Sequence, residues 1–100
     1  MCGAPAQGRS LPGVDLDRET VICGQVVCGG QPVPAAFVRL LDSGGEFTAE
    51  VVTSASGEFR FFAAPGDWTL RALSPAGNGQ SDVAARIGLT ETLLEVAAGG

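Results

Sequence analysis

Cysteines at positions 2, 23 and 28 are the strongest soft nucleophiles in this 100-residue chain, and no histidine stands near them because the chain has none. Cys23 and Cys28 fall five positions apart in one predicted strand, so their side chains leave it on opposite faces. At a rise of about 3.3 Å per residue they stand roughly 16 Å apart, beyond disulfide reach. Three cysteines without histidine do not make a standard zinc site. Cys28 reads as a small residue at the edge of the core and Cys23 as a semi-exposed one. Cys2 differs, because it sits on a Gly- and Pro-bearing arm. Removal of Met1 would place its thiol beside an α-ammonium group, which favours the thiolate. Cys2 is therefore the candidate acceptor for a sulfane sulfur, against the plainer reading of an incidental cysteine in a loose tail.

Other chemistries are limited by what the chain lacks. Without histidine, neither a Ser-His-Asp nor a Cys-His arrangement can form. There is no tyrosine, and all six basic residues are arginine, so several acid–base and Schiff-base routes are closed. Glu46 and Glu50 share a predicted strand face with Thr48 and form a conceivable carboxylate pair, although a solvated surface accounts for them as well. A net charge of −5 repels a phosphate backbone, and nucleic acid is not an expected partner. Arg39, Arg60 and Arg71 each lie in a predicted strand opposite its main apolar set. They read as a cross-strand patch with Glu50 or Glu58, or as a solvated outer face.

The elements that must position these residues are short. One hundred residues make one domain, with 45% hydrophobic and 17% charged residues, the balance of a globular chain. No run approaches the roughly 20 apolar residues of a membrane helix. The first ten residues carry no apolar segment of a secretory signal, so a cytoplasmic location is expected. Residues 1–19 read as a loose arm and residues 20–98 as the domain. Thr20–Cys28 is a strand with Ile22, Gly24 and Val26 facing the core; its other face (Val21, Cys23, Gln25, Val27) is apolar enough to need a cover, for which the arm is the candidate. Gly29–Pro32 is a turn. Ala36–Leu41 follows with Ala36, Val38 and Leu40 inward, and then Glu46–Thr53 with Phe47, Ala49 and Val51 on one face. Ser54–Gly57 reads as a hairpin turn into Glu58–Phe62, where Phe59 and Phe61 point together. Ala64–Asp67 fits a type II turn, leading to Trp68–Leu73 with Trp68, Leu70 and Ala72 inward. Pro75–Gln80 reads as a loop. Beyond it, Asp82–Ile87 and Glu91–Val96 allow strands, and Thr90–Ala98 also allows a short helix. No other stretch has a helical period, so the expected fold is an all-β antiparallel sandwich of about seven strands, with Trp68, Phe59 and Phe61 in the core beside Val26, Val38 and Leu40.

The blocks Ile22-x-Gly24-x-Val26, Pro34-x-Ala36-x-Val38-x-Leu40, Ser56-Gly57-x-Phe59-x-Phe61 and Pro65-Gly66-x-Trp68-x-Leu70 resemble carboxypeptidase-regulatory, prealbumin-like β-sandwich modules. Within that group, Met1-Cys2-Gly3, Leu11–Leu16, Ala36–Ser43, Glu46–Val52, Phe59–Gly66, Trp68–Leu73 and Ala76–Gly79 resemble the small actinobacterial proteins called SseC-like. That resemblance implies a link to sulfur metabolism, beside rhodanese-type thiosulfate sulfurtransferases, and supplies no catalytic residues. A prealbumin-like hydrolase of the hydroxyisourate type relies on histidines and a C-terminal Tyr-Arg-Gly-Ser motif, both absent here, and a rhodanese active-site loop is absent too. The closing Gly99-Gly100 is similar to the tail of thiocarboxylate sulfur carriers, but those are β-grasp proteins with a long helix this sequence lacks.

Two function classes follow. One is a non-catalytic adaptor, without cofactor or metal, that docks on a sulfurtransferase or another protein, or on its own copy, through the outward residues Phe37, Leu41, Phe62 and Leu73. The other is a sulfur relay through Cys2. Carbohydrate binding is a third reading, which would need exposed aromatics.

Overall fold

The computed structural model describes residues 17–97, which form eight strands. They are β1 (Thr20–Cys28), β2 (Gln31–Pro32), β3 (Phe37–Leu41), β4 (Phe47–Val52), β5 (Glu58–Ala63), β6 (Gly66–Ser74), β7 (Gly77–Ala85) and β8 (Gly88–Glu95). Two sheets face each other. In the first, β1 is central: β8 pairs with it along one edge, while β5 and then β2 pair along the other. The second has the order β4-β3-β6-β7, antiparallel throughout. The expected all-β sandwich is therefore present, with the two-residue β2 added and one parallel pair, β1 with β8.

Period-2 alternation builds the core. Ile22, Val26, Val38, Leu40, Phe59, Phe61, Leu70 and Ala72 form one buried cluster that Leu94 and Val96 complete. Phe59 and Phe61 point the same way, their ring centroids 6.1 Å apart and tilted by 57°. Trp68 is half-buried against this cluster rather than central to it, and its indole N–H donates to the Ala64 carbonyl at 2.8 Å. Both faces of β1 are buried, since Val21 and Cys23 are as inaccessible as Ile22 and Val26. Cys23 is thus a buried residue and not a semi-exposed one. Cys28 is half-buried beside the core, as its position at the end of β1 leads one to expect.

Three local expectations are corrected. Ser54–Gly57 turns tightly, with the Gly57 N–H donating to Ser54 C=O at 2.9 Å, but it carries the chain from β4 in one sheet to β5 in the other and makes no hairpin. Residues 77–80 are strand and not loop. The turn before them tightens because the Ser74 hydroxyl both donates to Gly77 C=O and accepts from Gly77 N–H. Of the two readings open for the C-terminal stretch the strand is found, as β8, with no helix among the described residues.

The third correction concerns Phe47. A β-bulge lies between Leu40 and Leu41, so that Leu40 pairs with Ala49 while Leu41 pairs with Phe47. The extra residue flips the strand's alternation, and Phe47 ends on the outside, 62% exposed. Ala49 and Val51 keep their inward places against the core.

Thr53 anchors the start of β3. Its buried hydroxyl accepts the Ala36 N–H at 2.9 Å and donates to Val33 C=O at 2.8 Å, while its N–H donates to Ala36 C=O at 2.9 Å. Replacing it by the near-isosteric valine strands the Ala36 N–H in a buried place. We expect Thr53→Val to cost about 1–3 kcal/mol, read as a lower urea midpoint with an unchanged m-value. A midpoint equal to that of the parent protein would show that this knot contributes nothing.

Candidate docking surface

The outward face of the β4-β3-β6-β7 sheet is assembled by register. With Val38 and Leu40 inward, Phe37 and Arg39 must point out. Phe37 lies opposite Val52 on β4 and Leu73 on β6, and Leu73 lies opposite Asn78 on β7. This makes a row Val52, Phe37, Leu73, Asn78 across all four strands. Its first two members are exposed, at 55% and 49%, and Leu73 is half-buried. Cross-strand apolar partners of this kind touch side by side, so Val52, Phe37 and Leu73 make a continuous apolar ridge that ends at the polar Asn78.

A second row runs beside it: Glu50, Arg39, Arg71 and Gln80. Arg39 Nε donates to Glu50 Oε2 at 2.8 Å, an exposed ion pair worth about 0.2–1 kcal/mol. Arg71 donates from Nε and Nη2 to Gln80 Oε1, at 3.3 and 3.2 Å. The expected cross-strand patch of Arg39 with Glu50 is therefore present, and Arg71 extends it. The conceivable pairing of Glu46 with Glu50 is not built. Glu50 is engaged by Arg39, and Glu46 lies in the turn before β4, its backbone N–H held by the Asp42 carboxylate at 2.9 Å.

The sequence-derived residues are placed unequally. Phe37 and Leu73 come together as cross-strand partners. Leu41 is buried, at 8% exposure, and offers little to a partner. Phe62 is exposed but belongs to the other sheet, where the Arg60 guanidinium lies 5.8 Å from its ring centroid. Val52 was missed, although the alternation of Ala49 and Val51 inward with Glu50 outward points to it. Cys2, the candidate sulfur acceptor, lies outside the described residues, as do the arm up to residue 16 and the closing Gly99-Gly100. Cys23 is disulfide-bonded, and Cys28 is a free thiol.

Two hollows border this face. One, of about 360 Å³, is lined by Arg71, Leu73, Asn78, Gly79 and Gln80. The other, of about 540 Å³, lies at the far end of β6 and β7 between Asp67, Trp68, Thr69, Asp82 and Ser43. In it the Thr69 hydroxyl donates to Asp82 Oδ1 at 3.0 Å. Among the described residues no three His, Cys, Asp or Glu side chains converge as metal ligands.

Comparison with solved structures places this architecture. A 5-hydroxyisourate hydrolase from Klebsiella pneumoniae superposes with a TM-score of 0.60 at 25% identity, over 80% of this chain and 92% of that one. A DUF3823 family protein from Parabacteroides merdae gives the same TM-score at 23% identity, over 80% of this chain and 46% of that one. The fold is thus the prealbumin-like sandwich. Uncharacterized proteins of Mycobacterium tuberculosis are 69% identical over 85 residues, which is 83% of this chain and 85% of theirs. An uncharacterized protein of Mycolicibacterium smegmatis is 71% identical over 73 residues, 72% of this chain and 81% of that protein. The family described as "Protein of unknown function (DUF1416)" matches residues 2–96, and the chain belongs to it.

Proposed function

We propose that this protein is a non-catalytic adaptor that docks on a partner protein through the ridge Val52, Phe37 and Leu73. The observation that carries this reading is the ridge itself: three apolar side chains in register across three strands, on a sheet face whose opposite side already holds the core. Contiguous exposed apolar surface rimmed by polar groups marks interaction sites, and aromatic and arginine side chains are the residues that dominate them. The absence of histidine, tyrosine and lysine stands against turnover. The hydrolase among the structural neighbours shares the fold, and a shared fold does not carry a reaction with it. The resemblance to SseC-like proteins is what supports a rhodanese-type thiosulfate sulfurtransferase as the partner class.

The test is titration calorimetry of the full chain against the rhodanese-type proteins of its own genome. Phe37→Ser should weaken binding at least tenfold, as loss of an interface aromatic does. It should change folding stability by about 1 kcal/mol or less, since the ring is half exposed in the free protein. No binding to any of these proteins would overturn the partner assignment. Equal binding by Phe37→Ser would overturn the docking surface.

A further inference from the structure

We infer that the partner presents an acidic segment to this face, with a carboxylate on Arg71, Gln80 and Asn78 and an apolar side chain against Phe37 and Leu73. The inference rests on the docking reading above and specifies the chemistry of what docks. Its starting point is an imbalance in the polar row. Arg39 and Arg71 are direct cross-strand partners, and like charges placed opposite one another destabilise a sheet. Glu50 answers Arg39. Opposite Arg71 the chain places Gln80, a neutral amide, although it has eleven acidic residues to draw on. Among the described residues no carboxylate pairs with Arg71.

The geometry around Arg71 suits an incoming anion. Gln80 accepts both Arg71 hydrogen bonds on its single carbonyl oxygen, which leaves its NH₂ group and the remaining guanidinium N–H groups as donors. Asn78 adds a second amide to the same hollow, which Leu73 and Gly79 complete. Arginine's fork is matched to a carboxylate. The ridge and the polar row are offset by two residues along each strand, about 7 Å. The matching segment therefore carries its apolar side chain and its carboxylate about 7 Å apart, the spacing of positions i and i+2 in an extended peptide. In a chain of net charge −5, this row is where an acidic partner meets attraction and not repulsion.

The experiment is amide NMR titration of the full chain with the peptide acetyl-Phe-Ser-Glu-Ser-Leu-amide, its Gln-for-Glu counterpart, and inorganic phosphate. The acidic peptide should shift the amides of Phe37, Leu73, Asn78 and Gln80, while the Gln counterpart binds at least tenfold more weakly. Gln80→Glu supplies the missing carboxylate within the chain. It should abolish the peptide shifts while leaving thermal unfolding unchanged or slightly higher. Equal shifts from both peptides, equal shifts from phosphate alone, or undiminished binding by Gln80→Glu would each overturn the inference. A full-length partner that binds Gln80→Glu normally but loses affinity for Phe37→Ser would remove the acidic segment and leave the docking surface standing.

Discussion

Gly24→Ala should lower the unfolding free energy by about 3 kcal/mol or more, the upper range for overfilling a packed interior. Gly24 lies mid-strand in β1, opposite Phe59 on one side and Thr92 on the other. A Cβ there runs into the Thr92 backbone carbonyl and stands 3.0 Å from the Phe59 ring. The carbonyl belongs to the parallel pairing of β1 with β8, so it cannot retreat without parting the two strands. A loss of this size is a large share of the 5–15 kcal/mol typical of a domain. Urea denaturation followed by tryptophan fluorescence gives the value, with Trp68 as the sole tryptophan. A change below 1 kcal/mol would mean that β8 is free to shift.

Phe61→Ala should cost about 3–5 kcal/mol, as truncation of a buried aromatic does. The ring is 3% exposed, sits across from Ile22 and packs beside Phe59. Because the sheets close over it, little relaxation is available and the cavity persists. Phe61→Leu should recover more than half of the loss. Calorimetric unfolding of both variants checks the pair, and equal stability of Ala and Leu at this site would contradict a packed core.

Alternation alone reveals much of this interior. Ile22, Val26, Val38, Leu40, Phe59, Phe61, Leu70 and Ala72 all face inward as their parity requires. What alternation does not carry is pairing. The bulge that turns Phe47 outward is a property of two strands in register. The extended conformation of residues 77–80 depends on the Ser74 turn and on Gly79, where a Cβ would meet the Glu95 backbone carbonyl. The same limit governs the candidate surface. Phe37 and Leu73 are legible as outward apolar residues, whereas their adjacency, and the row in which Gln80 faces Arg71, exist only once β3, β6 and β7 are aligned. Leu41 has outward parity and is buried nonetheless, because parity says which way a side chain points and not what lies over it.

The parallel alignment of β1 with β8, Thr20 beside Gly88 through Val27 beside Glu95, has a consequence for how the protein is made. The central strand of its sheet leaves the ribosome before β8, its partner along one whole edge, with six other strands between the two. Until then β1 exposes an unpaired row of backbone donors and acceptors, the template on which chains aggregate. Non-local closure of this kind belongs to the slow class of folding, milliseconds to seconds. Nascent copies on one message therefore carry a shared hazard at β1 that ends when β8 arrives.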